Sequence, residues 1–597
     1  VGELATALAK EFPPKTATQW RDMLLKPLSK PKDKRTRSFR LLANLSHADV
    51  QKVKQMPFFN NLGRTRSGLC VETIRRRTNP YGEMARRSVG RVGQTAECSE
   101  VHGISGLERA LDSLLYGVPG VAEKKALTHG IVNWAKTEAV PGYDVVTTID
   151  INMQDIVENE LNSILSYVQA DWGVAVLMDV ETGDIKAISN LEKNPLGGNY
   201  IEAMNRAVLG YEPGSVVKTL SMLIALEEGV VTDLDEVIPT GRCMYMGRPI
   251  TDSHATTSLK VREVLEQSSN IAMTRIITRH FENNPGEFYS RIKELGFLTP
   301  MHTGISGETV PRIDSVPSNR GGRLVLSRQC FGYATEIPPL YTLALYNAIA
   351  NDGAFVRPRL FKRLINKELG IDSVLPVSYI KDRICSRENA AILRDMLKRV
   401  VWGDHGTGRS LRNEYVALAG KTGTSYMIEN GQYVTSKKRL TFCGYFPADK
   451  PRYSCIVLTC APKVNWLGAA STSGQIMRNI AMKMYSRGML GDNSDYHAEE
   501  PHGDVPRLAA GIGSDRRQEL RDAFGISGQL RVLRSPSGET RMGHVPSVMG
   551  MDLRSAIATL ESAGYNVGHT GSGCVVASVP AGGTPAKPGT RVVLTLK

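Results

Sequence analysis

Three short strings hold residue types able to do acyl chemistry: Ser215-Val216-Val217-Lys218, Ser268-Ser269-Asn270 and Lys421-Thr422-Gly423-Thr424. A serine hydroxyl is a poor nucleophile until a neighbour takes its proton, and an amine takes it only when burial or nearby cations lower its pKa. Lys218 follows Ser215 by about one helical turn, which puts the two side chains over one face. Ser268 offers a hydroxyl that relays a proton to a leaving amine, and the Asn270 amide can hold a substrate backbone through donor and acceptor together. Lys421 would add positive charge to a shared pocket, Thr422 and Thr424 would hydrogen-bond a substrate carboxylate, and Gly423 would let a substrate backbone approach closely. Alone, each string is commoner as plain structure: a helix N-cap with a surface lysine, a polar turn, a strand end. Their order changes that, with roughly fifty residues between the first two and roughly one hundred and fifty before the third, the arrangement of serine acyl-transfer enzymes.

The surrounding residues must position these groups. Pro213-Gly214 breaks the chain, and Val216, Val217, Leu220, Leu223, Ile224 and Leu226 follow at helical spacing, so Ser215 is expected to open a helix. Free N–H groups and the positive end of the helix dipole would then favour negative charge at its oxygen. Leu259, Val261, Val264 and Leu265 predict a helical stretch, with Ser268 and Asn270 on the turn that leaves it. Tyr415 to Gly420 reads as a strand delivering the third string to a sheet edge. A phosphate loop is rejected there, because Tyr415 stands where that motif needs glycine. Gly406-Thr407-Gly408 lacks a strand-glycine-helix context and reads as an ordinary turn.

A chain of 597 residues is too long for one core, and about three or four domains is the expectation. The net charge of +14 suits nucleic acid, an anionic membrane, an acidic polymer or simply a solvated basic face. Lys30-Pro31-Lys32-Asp33-Lys34-Arg35 and Arg75-Arg76-Arg77 come with no zinc-finger, helix-turn-helix or RNA-binding signature, so nucleic acid is set aside in favour of a membrane-proximal or partner surface. The 9 cysteines contain no C-x-x-C pair and sketch no disulfide framework. Cys455 and Cys460 flank a strand and would point to opposite faces as packing residues. Metal-ligand spacing is absent, so neither a metal nor another cofactor is expected. The longest uncharged apolar region, Ile337 to Ala350, holds two prolines and an Asn and is too short to span a bilayer.

Gly173 to Asp179, Glu181-Thr182-Gly183-Asp184 and Ile185 to Ile188 read as a β-hairpin, and strands return at Leu440 to Tyr445 and Tyr453 to Leu458. Helical segments fill the middle. The order strands, helices, strands predicts an α+β protein whose antiparallel sheet is sandwiched by helices. Residues 491–541 turn to Asp, Ser, Gly, Pro and Arg and read as a linker, with a short helix around Leu520 to Phe524. Beyond it, Leu553, Ala556, Ile557, Leu560 and Ala563 share one helical face before Pro580-Ala581-Gly582-Gly583 and the strand-like Arg591 to Leu594.

With these residues in hand, the chain resembles a class B penicillin-binding protein, a peptidoglycan D,D-transpeptidase. Glu212-Pro213-Gly214, Asn205-Arg206-Ala207, Thr148-Ile149-Asp150 with Gln154, Ala350-Asn351-Asp352-Gly353, and Asn79-Pro80-Tyr81-Gly82 paired with Gly106-Leu107-Glu108 are similar to landmarks of that family, although Ser269 stands where many members carry Asp. The resemblance implies a non-catalytic pedestal over 1–144, a penicillin-binding, β-lactamase-like transpeptidase domain over 145–490, the linker, and over 542–597 a small PASTA domain of one helix on a three-stranded sheet. It implies that Ser215 attacks the carbonyl between two terminal D-alanines, with Lys218 as base, Ser268 as proton relay and Asn270 positioning the donor peptide. Lys421, Thr422 and Thr424 would handle electrostatics and the terminal carboxylate, and the N–H groups of Ser215 and Thr424 would form the oxyanion hole. It further implies acylation by β-lactams, a septal role in cell division, and partners among peptidoglycan stem peptides, a membrane glycan polymerase and other division-complex proteins. Because class B members usually carry one N-terminal membrane helix and this chain begins at Val1 without methionine, such an anchor is expected upstream, with the catalytic domain on the periplasmic side of the inner membrane. Three alternatives stay open: a D,D-carboxypeptidase, a β-lactamase-like hydrolase that needs a Glu to activate water, and a non-catalytic wall-sensing scaffold.

Overall fold

The hairpin expected near residues 173–188 forms the middle of a six-stranded sheet. Its strands are β1 (Trp172–Asp179), β2 (Ile185–Lys193), β3 (Tyr200–Glu202), β4 (Ala419–Glu429), β5 (Gln432–Phe446) and β6 (Tyr453–Cys460), in the order β4-β5-β6-β1-β2-β3. Every neighbouring pair is antiparallel. The computed structural model describes residues 1–27, 29, 31, 38–60, 67–72, 77–94, 100–127, 130–464, 468–491 and 543–597. The linker and helix expected within 492–541 and most of the two basic clusters lie outside these residues.

The helices around the sheet include α1 (Ile151–Val168), α2 (Lys218–Glu227), α3 (Asn270–Phe281), α4 (Pro285–Glu294), α5 (Pro339–Ala350), α6 (Arg387–Trp402) and α7 (Gln475–Ser486). Because side chains alternate along a strand, Val174, Val176 and Met178 of β1 join one core with α2, α3 and α5. Ala175 and Leu177 join the other with α1 and α7. The α5 segment is apolar on all sides and every residue in it is buried, which explains why its sequence shows no polar face. Leu220, Met222, Leu223 and Ile224 of α2 are at most 2% exposed, each burial contributing about 2 kcal/mol to fixing the helix that carries Lys218.

Asp150 caps α1 by accepting from Asn152 N and Met153 N, and Gln154 bridges α1 to β2 by accepting from Ile188 N (2.8 Å) and donating to Ile188 O (3.0 Å). The segment Asp144–Thr147 pairs with Phe361–Asn366 in a separate small sheet. Cys455 and Cys460 fall in different cores, and no described cysteine is bridged.

Two expected elements are corrected. Residues 259–265 are not a helix: strand Ser258–Lys260 passes into a 3-10 turn at Val261–Glu263, where Glu263 accepts from Lys260 N at 2.8 Å. The helical spacing there reflects a folded turn that drives Val261, Val264 and Leu265 fully inside. Tyr415–Leu418 is not strand either, because Asn413 accepts from Tyr415 N and Val416 N and holds the segment in a side-chain turn, with Tyr415 half exposed. The strand starts at Ala419 and runs on through the third string, placing it on the edge strand β4.

By compactness the chain divides at Tyr81/Gly82. In the first unit, helices Gly2–Glu11 and Ala17–Leu25 pack Leu4, Ala5, Leu8 and Trp20 with Met56. Near the C-terminus, helix Leu553–Ser562 accompanies a three-stranded sheet whose central strand, Arg591–Leu596, runs parallel to Asn566–Thr570 and antiparallel to Val575–Val579. Ala556 and Leu560 of that helix join a core with Val548, Tyr565, Val592 and Leu594. Among the described residues no helix is long and apolar enough to cross a membrane.

Candidate active site

Ser215 lies in a 3-10 turn, Gly214–Val217, that runs directly into α2 at Lys218. The break before it is enforced by Gly214, whose φ of +63° suits glycine and whose added Cβ would sit 2.4 Å from Thr424 O. The expected helix start is thus a tighter turn, with the dipole of α2 behind it. Ser215 is half-buried.

Lys218 Nζ lies 3.0 Å from Ser215 Oγ, 2.6 Å from Ser268 O and 3.2 Å from Ser268 Oγ. From β4, Lys421 Nζ reaches the same Ser268 Oγ at 2.7 Å and Thr422 O at 3.0 Å. Hydroxyls and amines drawn from three distant stretches of chain therefore meet around Ser268. Both lysine side chains are completely buried. Burial lowers the Lys218 pKa to about 7, against opposing pulls from the Asp252 carboxylate and the Cys330 thiol. Burial, and then the Lys218 charge, push Lys421 well below the ordinary lysine range. Lys421 was expected to add positive charge to the pocket. Two ammonium groups sharing one hydroxyl in a buried site repel, so the pair gives up a proton more easily than lysines in water.

The second string opens a helix instead of closing one. Ser269 is the N-cap of α3, accepting from Ala272 N, and Asn270 is the first helical residue. Ser268, just before the cap, has a φ of +58° that turns its carbonyl and hydroxyl toward the lysines. Asn270 Nδ2 donates to Thr251 O at 2.8 Å, which fixes the orientation of its amide.

On β4, Thr422 Oγ1 is 2.9 Å from Thr407 Oγ1, and Thr424 is half-buried and paired with Leu440 of β5. Gly423 was expected to make room for a substrate backbone. Its absent Cβ would instead lie 3.0 Å from Val216 Cγ1 and 3.1 Å from Pro213 O, so the glycine lets β4 sit against the serine turn.

Several residues around the site were given no role from the sequence. Asp252, seventeen residues before Ser269, accepts from Ser269 Oγ (2.6 Å), Asn270 N (2.5 Å) and Ile271 N (3.1 Å). It clamps the second string and is the carboxylate that acts on Lys218. Thr407 belongs to the turn dismissed as ordinary, yet it braces Thr422 and donates its N–H to Glu266 O. Glu212, within a landmark string, accepts from Ala334 N (3.1 Å) and Tyr433 Oη (2.8 Å), while its carbonyl accepts from Ser425 Oγ (2.8 Å). Burial raises the pKa of its carboxyl.

Chemically, the cleft offers a serine hydroxyl, a buried amine able to deprotonate it near neutral pH, a second hydroxyl bridging two amines, and an edge strand. Among the described residues no carboxylate hydrogen-bonds Ser215 or Lys218.

The chain is similar to known proteins over three regions. The family described as the penicillin-binding protein transpeptidase domain matches residues 173–482, more than half the chain. The penicillin-binding protein dimerisation domain matches residues 1–147 and the PASTA domain residues 543–597. The probable peptidoglycan D,D-transpeptidase PenA of Neisseria gonorrhoeae is 28% identical over 388 residues, 63% of this chain and 64% of that protein. The match thus spans just under two thirds of that relative's length. The peptidoglycan D,D-transpeptidase FtsI of Escherichia coli K12 is 27% identical over 430 residues, covering 70% of this chain and 69% of that protein. The crystal structure of penicillin-binding protein 3 from Mycobacterium tuberculosis complexed with aztreonam superposes with a TM-score of 0.58 at 26% identity, covering 69% of this chain and 90% of that one.

Proposed function

The chain belongs to the penicillin-binding protein transpeptidase family, and from that premise we propose that it is a serine D,D-transpeptidase that cross-links peptidoglycan stem peptides. The observation that carries the proposal is the 3.0 Å approach of Lys218 Nζ to Ser215 Oγ, with the amine buried and its pKa near 7.

Ser215 Oγ attacks the carbonyl of the D-alanyl-D-alanine bond as its proton passes to Lys218 Nζ. The N–H groups of Ser215 and Thr424 face the oxyanion, close to where Gly214 and Thr424 pack. The C–N bond then breaks, and the departing amine receives the proton through Ser268 Oγ, which lies within reach of both lysines. D-alanine leaves and Ser215 holds the peptide as an ester. An amine from a second stem attacks that ester and restores the serine. Asn270 orients the donor peptide, and Thr422, Thr424 and a recharged Lys421 receive its carboxylate. A β-lactam enters by the same first step and remains as the ester.

The clamp by Asp252 gives a first expected outcome. Asp252→Ala releases three hydrogen bonds, and acylation by benzylpenicillin slows by about tenfold to a hundredfold, as loss of charged hydrogen bonds predicts. The midpoint of the acidic limb also moves to lower pH, because the anion that holds the Lys218 pKa up is gone. Stopped-flow acylation rates across pH measure both.

The carboxylate nearest in effect to Lys218, Asp252, has its oxygens committed to Ser269, Asn270 and Ile271, which favours an amine acceptor over activated water. A stem-peptide thioester incubated with and without a D-amino acid amine tests this: an amide product that grows with amine concentration is expected, and hydrolysis alone would point to a carboxypeptidase. The division 1–144, 145–490 and 542–597, a septal role, an upstream membrane anchor with the catalytic domain on the extracytoplasmic side, and a glycan polymerase as partner belong to the same proposal, supported by the likeness to FtsI.

A further inference from the structure

The helix that begins at Lys218 ends beside a cavity of about 390 Å³, a size that takes small organic ligands. Leu223, Ile224 and Ile384 give it a buried apolar wall. Its lining carries both signs of charge. On the α2 side, the Glu227 carboxylate accepts from Ser386 N (3.0 Å) and Asn389 Nδ2 (2.6 Å), and no cation pairs with it among the described residues. The last carbonyls of α2 add the negative end of the helix dipole there. From the segment that leads into Ser386, Lys381 Nζ donates to the backbone oxygen of Glu294 (2.6 Å) and Arg383 Nη1 to that of Asp352 (2.9 Å). Neither has a carboxylate partner among the described residues. The other two acids of the lining, Glu228 and Glu294, are both taken by Arg291, at 2.9 Å and 2.8 Å. One carboxylate and two cations, all on solvent-exposed residues, therefore line this apolar-walled space with no ion-pair partner among the described residues.

We propose that this cavity binds a small zwitterion, an amino acid or dipeptide with an apolar side chain, with its ammonium on Glu227 and its carboxylate on Lys381 and Arg383. The apolar side chain lies on Leu223, Ile224 and Ile384. The site is separate from the serine cleft and does not depend on the acyl chemistry.

Leucine and glycyl-leucine are suitable probes, titrated by saturation-transfer NMR into the full chain before and after treatment with benzylpenicillin. Saturable binding with a Kd on the order of 1 mM is expected in both states. The double variant Lys381→Glu/Arg383→Glu, checked for an unchanged melting curve, should weaken it at least about tenfold, the scale of a lost charge-assisted pair. N-acetyl-leucine amide, which has neither charge, should not bind even to the unaltered protein, so the conclusion stands on the probe as well as on the variant. Absence of saturable binding by both zwitterions, equal binding of the uncharged analogue, undiminished binding by a folded double variant, or loss of binding once the serine cleft is acylated would each overturn the proposal. Failure of benzylpenicillin to form an adduct would count against the transpeptidase assignment and leave the untreated titration as the test of the cavity.

Discussion

Ser215→Ala is expected to yield no covalent adduct with benzylpenicillin, whereas Ser268→Ala should still form one, more slowly. The contrast matters because both hydroxyls sit beside buried amines. Ser268 Oγ has two of them, at 3.2 Å and 2.7 Å, and Ser215 Oγ one, at 3.0 Å. Counting amines would favour Ser268 as the nucleophile. The backbone decides otherwise. Ser215 lies in the turn that feeds α2, where N–H groups and the helix dipole stabilise an oxyanion, and Thr424 of β4 packs directly against that turn. Ser268 precedes the cap of α3 and hydrogen-bonds both lysines, which suits the relay role proposed for it. Removal of the nucleophile is expected to cost a factor on the order of 10⁶, which reads as no adduct by intact mass, and removal of the relay about 10²-fold, read as a slower acylation rate.

Lys218 gives the second large effect. Its ammonium must lose a proton before it can serve as base, and burial brings that event to about pH 7. Acylation should therefore rise with pH through a limb centred near 7 and level off above it. Lys218→Ala should remove that limb and lower the plateau by about 10²- to 10⁴-fold. Lys218→Arg should do no better, since a guanidinium stays protonated. The stability consequence runs in the same direction with pH but over a wider window. Because the folded-state pKa lies below the ordinary value of 10.5, the unfolded chain binds the extra proton between about pH 7 and that value, so this group's contribution favours the folded state more as pH climbs through the window. Melting temperatures of wild type and Lys218→Met across pH 7 to about 10 should differ in slope for this reason, with the flatter dependence in the variant.

Much of the site was legible because its chemistry is local. Ser215 and Lys218 face each other through helical spacing alone, and Pro213-Gly214 announces the break before them. The third string was read as lying at the end of a strand on a sheet edge, and the strand that carries it is the edge strand β4. What could not be read was set by chain segments that meet only on folding. Asp252 approaches from a loop with no pattern of its own, and Thr407 looked like turn filler because its partner, Thr422, belongs to a strand. Gly423 was assigned to substrate because a glycine marks close approach, but sequence does not say to what, and the neighbour is the serine turn. The two misread segments share one cause. Apolar spacing at 259–265 and a β-rich run at 415–418 both report burial beside the core, and local side-chain hydrogen bonds from Glu263 and Asn413 then chose the backbone shape.

The most direct measurement is intact mass of the protein after benzylpenicillin, followed by peptide mapping of the adduct. One penicilloyl group per chain, on the peptide containing Ser215 and persisting for many minutes, is the expected result. An adduct mapped to Ser268 or elsewhere, or no adduct in a folded protein, would contradict the assignment of Ser215 and Lys218 as nucleophile and base.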